Sequence, residues 1–202
     1  MGRKSVQKRR YVDPLIREHY TVKLLVYFQQ NGIRNFSMSG LAKDFGISKT
    51  TLYNHFSSKE DMVEAAITYK LNSIQDYKSV LFDKDLSYYE RLRKALLFYC
   101  VQIFQLSRKL LVEVEQDYPR LWLKVLKFQQ KVLKDLLAYY KLGQRIGHYN
   151  LDVDPYLIVC NDQYFFEMLS KGNLPKKYEE DIVEVVNQYC KIKFSGLLNQ
   201  GV

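Results

Sequence analysis

The sequence predicts an all-α protein, and three observations lead there. Proline and glycine are scarce, at four and nine among 202 residues. Apolar residues recur at spacings of three and four through most of the length, the period of a helix with one buried stripe. No stretch alternates apolar and polar residues long enough to make a strand, and no internal repeat or low-complexity segment breaks the pattern. About nine helices are expected.

Residues 1–12 read as a basic, mobile arm. Asp13-Pro14 then supplies a cap followed by proline at the first helical position. The first predicted helix carries Leu15, Ile16, Tyr20, Leu24, Tyr27 and Phe28 as its apolar set and stops at Asn31-Gly32. Ser37 caps the second, which turns Leu41, Ala42 and Phe45 inward. Gly46 turns the chain and Ile47 plugs the corner. Ser48 caps the third. Ser58 caps the fourth, with Asp61 three residues on in the manner of a capping box, and this helix is expected to reach about Leu81. After the break at Asp83-Lys84-Asp85, the pair Ser87 and Glu90 opens the fifth, through about Gln105. The sixth covers roughly 107–116, and Asp117-Tyr118-Pro119 restarts the chain as the seventh, out to about Leu142. "GQRIGHYNLDVDP" reads as a loop. Asp154-Pro155 repeats the cap-then-proline signal for the eighth, to about Lys171. Gly172 to Pro175 is a turn, and the ninth fills most of the rest.

With 47% hydrophobic and 26% charged residues, the composition is that of an ordinary globular protein. The first twelve residues lack the apolar stretch of a secretory signal. No run approaches the roughly 18 apolar residues of a membrane span. A cytoplasmic protein that does not enter a membrane is therefore expected. Cys100, Cys160 and Cys190 are far apart and form no CxxC pair, so each reads as a small buried residue. His19, His55 and His148 show no ligand spacing. There is no HExxH, P-loop, dinucleotide fingerprint or cysteine–histidine cluster. No metal, cofactor or catalytic residue is expected, and an enzyme is the weakest of the readings.

The net charge of +9 is unevenly placed. Residues 1–60 hold eleven Lys/Arg against four Asp/Glu, and the remaining residues hold twenty against eighteen. The basic field thus belongs to the N-terminal third and points to a polyanion there, most simply nucleic acid.

On a helix through residues 48–56, Leu52 and Phe56 fall one turn apart and must point inward. Thr50 and Asn54 then face the opposite way, with Thr51 and Tyr53 to either side and Lys49 and His55 on the flanks. Small hydroxyls and an amide can meet base edges in a major groove. Lys, Tyr, His and the free N–H groups at helix starts can hold phosphates.

The segment from Ile16 to Ala66, and above all "GISKTTLYNHFSSKEDM", resembles the DNA-binding domain of the TetR family of bacterial transcriptional regulators. The resemblance implies a helix-turn-helix over 13–60, following the arm at 1–12. It implies a larger helical domain for ligand binding and dimerisation over 61–202. It further implies that Thr50, Thr51 and Asn54 approach bases, that Ser48, Lys49, Tyr53, His55 and Lys59 hold the DNA backbone, and that Ser37 meets a phosphate. Leu41, Ala42, Ile47, Leu52 and Phe56 match the family's core. Leu24 stands where the family usually has alanine, and Ile33 where an aromatic is common, so local repacking is expected.

The eighth and ninth predicted helices are apolar over more than one face, which implies a second surface to bury. A two-fold homodimer meets that need, and the resemblance implies the same. Its interface is expected at Leu157, Cys160, Tyr164, Phe165, Leu169, Val186, Tyr189, Cys190 and Phe194. Two reading helices about one turn of DNA apart (~34–36 Å) would match a palindromic operator in double-stranded DNA. If a small hydrophobic effector releases the protein, as the resemblance implies, Phe98, Tyr99, Phe104, Tyr118, Trp122, Phe128 and Tyr139 are numerous enough to line its pocket. Control by a protein partner is the alternative.

Overall fold

A computed structural model describes residues 13–174, 176–178 and 181–195. The basic arm at 1–12 lies outside them, as do Pro175 and the last apolar pair assigned to the ninth helix, Leu197 and Leu198. The described residues form ten α-helices and one 3-10 turn, with no strand. In order, α1 is Pro14–Asn31, α2 Met38–Asp44, α3 Lys49–His55, α4 Lys59–Ile74 and α5 Tyr77–Leu81. Then come α6 Tyr88–Phe104, α7 Arg108–Asp117, α8 Pro119–Arg145, α9 Pro155–Ser170 and α10 Ile182–Ser195. The chain divides into two compact units between Lys70 and Leu71, inside α4.

The caps fall where the sequence places them. The side chains of Asp13, Ser37, Ser48, Ser87 and Asp154 each accept a backbone N–H of the helix that follows, as does Ser107, which the sequence did not single out, satisfying donors the helix leaves open. Ser87 and Glu90 complete a reciprocal capping box. Gly46, at φ 68°, makes the corner between α2 and α3 in a conformation that costs other residues strain.

Three expectations need correction. The fourth predicted helix does not run unbroken to Leu81. It stops at Ile74, where Gln75 N–H is shared between the carbonyls of Leu71 and Asn72, each at 3.1 Å. The segment Asn72-Ser73-Ile74-Gln75-Asp76 is rich in side chains that compete for backbone hydrogen bonds. In α1, Leu15 is 76% exposed and Ile16 is exposed as well. The buried stripe there is Thr21, Leu24, Leu25 and Phe28. The seventh helix outlasts its expected end, because "GQR" continues α8 to Arg145.

The core of the N-terminal unit is built on Leu24, Phe28, Leu41, Leu52, Phe56, Met62, Val63 and Ala66, all fully buried. Leu24 and Ile33, the two departures from the family pattern, are both buried within it. In the second unit α6, α8, α9 and α10 surround one core that includes Leu92, Leu96, Cys100, Tyr140, Val186 and Cys190. α6 and α7 meet at a bend of 73°, and no single helix among the described residues is long and apolar enough to cross a membrane.

Candidate DNA-binding surface

Burial of Leu52 and Phe56 fixes the orientation of α3. The opposite side then faces outward: Lys49, Thr50, Tyr53 and Asn54 are all exposed. Lys49 Nζ lies 5.9 Å from the centroid of the Tyr53 ring. Thr51 is half-buried and its hydroxyl lies 2.8 Å from Ser48 Oγ, the capping group of α3. Ser37 Oγ accepts the N–H of Gly40 at 2.9 Å and so caps α2. Lys59 donates to the carbonyl of Phe36 at 2.6 Å and lies over that ring. Its ammonium is engaged inside the unit.

Arg17 holds the C-terminal end of α3 in place, a role the sequence reading missed. Its guanidinium donates to the carbonyl of His55 and to Asp61 Oδ1, the latter at 2.7 Å, and lies 4.7 Å from the centre of the Phe56 ring. Asp61 also accepts the backbone N–H of Ser57 at 2.8 Å. Partial burial works against the Asp61 carboxylate, but the bonds from Arg17 and Ser57 outweigh it and hold its pKa below the usual value. One cluster thereby ties α1, the end of α3 and the start of α4. His55 is half-buried, its ring 5.3 Å from that of Tyr20, and its Nδ1 is buried with no hydrogen-bond partner among the described residues. Thr50, Tyr53, Asn54, Ser57 and Arg17 border an open concavity of about 690 Å³ beside the exposed face of α3.

None of the residues expected to line a ligand pocket in the second unit lines the recess described below. Tyr99 and Tyr139 are buried in the core, and Phe98, Phe104 and Phe128 are packed against it. Tyr118 and Trp122 are half-buried at the start of α8. Tyr139 serves instead to join helices. Its hydroxyl donates to the carbonyl of Tyr88 at 2.9 Å, the Tyr88 hydroxyl donates to the carbonyl of Tyr139, and the rings stack at 4.3 Å. A recess of about 670 Å³ lies among the start of α6, the loop after α8, the start of α9 and the end of α10.

Behind it sits a buried polar cluster. Asp162, fully buried, accepts from Tyr140 at 2.7 Å, from Tyr189 at 2.8 Å and from Lys193. Burial pushes the Lys193 pKa down, against the pull of Asp162. The only hint in the sequence was a few charges within two largely apolar helices, Asp162 and Glu167 in α9 and Glu184, Lys191 and Lys193 in α10.

The residues expected at a dimer interface divide into two groups. Leu169, Val186 and Cys190 are buried in the unit's own core. Phe165 and Tyr189 are half-buried with rings stacked at 3.9 Å, and Phe194 is half-buried too. Leu157 at 67% and Tyr164 at 74% are exposed, with Cys160 exposed between them. At spacings of three and four, these three make an apolar stripe along α9.

Residues 25–66 match the model for bacterial regulatory proteins of the TetR family. The HTH-type transcriptional regulator YvaF of Bacillus subtilis is 23% identical over 167 residues, spanning 81% of this chain and 86% of that one. The HTH-type regulator SAB2452 of Staphylococcus aureus is 35% identical over 86 residues, 42% of this chain. The match spans only 45% of that protein's length. Among solved structures, the fatty acid degradation regulator FadR of Bacillus halodurans superposes with a TM-score of 0.70 at 18% identity, over 94% of this chain and all of that one. The TetR-family regulator PfmR of Thermus thermophilus gives 0.66 at 20% identity, over 93% of this chain and all of that one. FadR of Bacillus subtilis, solved in complex with stearoyl-CoA, gives 0.66 at 18% identity, over 90% of this chain and all of that one. All of these are regulators. Residues 25–66 thus carry the TetR-family DNA-binding pattern, and over most of its length the chain has the fold of transcriptional regulators of that family.

Proposed function

We propose that the chain is a cytoplasmic homodimeric repressor that reads a palindromic operator with one α3 from each copy and is released by a small molecule held in the second unit. The observation that carries this reading is the exposed face of α3, where Thr50 and Asn54 stand opposite the fully buried Leu52 and Phe56. Thr50 and Asn54 meet base edges. Lys49 and Tyr53 hold phosphates on the flank and set the register. Ser48 and Ser37 bring the first turns of α3 and α2 to the backbone. Thr51 and His55 line the edge of the contact, and Lys59 adds positive charge beside it. The likeness to a FadR crystallised with stearoyl-CoA supports a small-molecule effector. A ligand that favours one arrangement of the two α3 helices shifts the protein off DNA by its difference in affinity for the two states.

The test is a pair of substitutions. Lys49→Ala is expected to weaken binding to every duplex alike and to reduce the slope of log affinity against log salt by about one. Asn54→Ala is expected to relax preference at one or two base pairs by about 1–3 kcal/mol while random duplex is bound as before. An unchanged salt slope for the first, or equal loss on all sequences for the second, would contradict the roles assigned.

A further inference from the structure

We propose that the recess between α6, α8, α9 and α10 is a binding site for a planar aromatic carboxylate. This rests on the reading that the second unit takes a small molecule, and it names the chemistry of that molecule.

The walls are aromatic. Tyr88 and Phe194 line the recess together with Tyr149, whose ring lies 6.2 Å from that of Phe194 at an interplanar angle of 19°. Tyr149 is seated by Gly143, where a Cβ would overlap its ring. Rings in this arrangement offer flat faces to a flat guest. A volume of about 670 Å³ suits a molecule of drug-like size.

Three side chains lining the recess, Tyr149, Lys193 and Asn161, hold donors with capacity to spare. The Tyr149 hydroxyl is buried and has no hydrogen-bond partner among the described residues. Leaving a buried hydroxyl unpaired is costly, so a partner supplied by a ligand is worth more there than at the surface. Burial raises the Tyr149 pKa, so the group is a protonated donor at neutral pH. Lys193 gives one N–H to Asp162 and one to Tyr140 Oη, at 2.5 Å. An ammonium carries three, so one remains. Asn161 has its Oδ1 at 2.7 Å from the Tyr189 hydroxyl, which leaves its amide N–H groups for a guest.

No carboxylate is among the residues lining the recess. Asp162 is fully buried and already meets three donors, so a cationic guest would find no open carboxylate. An anionic acceptor on an aromatic plate satisfies the donors and the walls at once.

Three matched probes decide the matter: 2-naphthoate, 2-naphthylmethylammonium and 2-naphthalenemethanol, titrated into the full chain by calorimetry. The carboxylate is expected to bind at least tenfold more tightly than the other two. Tyr149→Phe is expected to weaken it three- to tenfold with no loss of thermal stability, since the hydroxyl removed has no partner in the fold. Val153→Trp, crowding the mouth from an exposed position, is expected to abolish binding. Equal or tighter binding of the ammonium or alcohol would overturn the proposal. So would absence of binding at millimolar naphthoate, or indifference to Tyr149→Phe. Duplex binding measured on the same samples keeps the two readings apart: DNA bound but naphthoate ignored refutes the recess alone.

Discussion

A chain carrying both Leu157→Glu and Tyr164→Glu is expected to run as a folded monomer and to lose about 10²–10⁴ in affinity for its operator. The two side chains are 67% and 74% exposed on one stripe of α9, with Cys160 between them. A contiguous apolar patch of this kind marks an interaction surface. A second copy is the simplest occupant, because a two-fold contact buries the same stripe twice. Two carboxylates on each side would then face two more across the axis, without partners and without water. Each half-site would be bound singly, and the gain from linking two reading heads would vanish. Helical content should be kept, because neither side chain belongs to the core. Sedimentation together with circular dichroism checks both parts. A variant that remained a dimer would place the interface elsewhere.

Asp162→Ala is expected to cost about 3–5 kcal/mol, a large part of the roughly 5–15 kcal/mol that holds a domain folded. Asp162 is fully buried, and Lys193 keeps only 7% of its side chain exposed. Removing the carboxylate strands the ammonium in a cavity walled by Tyr140, Tyr189 and Phe194, whose ring faces recover only part of the lost interaction. It also leaves the Tyr140 hydroxyl without its acceptor, while Tyr189 keeps Asn161 Oδ1. The same reasoning expects rescue. Lys193→Met on top of Asp162→Ala should recover at least half of the loss, because no buried charge then remains unpaired. Urea unfolding of the three chains measures this directly. A single-variant loss under about 1 kcal/mol, or a double variant worse than the single, would show that the cluster is not the electrostatic keystone of this core.

What the sequence made legible followed from local rules. Caps are chemical: Asp13, Ser48, Ser87 and Asp154 announce helix starts because their oxygens must meet the first free N–H groups. The facing of α3 was legible because Leu52 and Phe56 sit four apart on a helix too short to hide both any other way. The break after Ile74 was not, because "NSIQD" carries neither proline nor glycine. The outward turn of Leu15 and Ile16 was not either, since periodicity gives a stripe but not which apolar residues at a helix end it omits. In the candidate site, Thr50 and Asn54 could be assigned by position alone. Arg17 could not, because its partners, His55 and Asp61, lie 38 and 44 residues away. The recess was invisible for the same reason. Tyr149 lies in the loop after α8, and the rings around it come from α6, α8 and α10. Aromatic abundance pointed to other residues, of which Tyr139 spends its hydroxyl joining α8 to the start of α6.

The central claim is that the exposed polar face of α3 enters a duplex groove, once from each copy of a symmetric pair. Selection of bound sequences from a pool of random duplexes at low salt tests it most directly. The expected product is a two-fold symmetric site whose halves are centred about one helical turn apart, lost when Thr50 and Asn54 are both replaced by alanine. Recovery of no common sequence, or of the same sequence by that double variant, would contradict it.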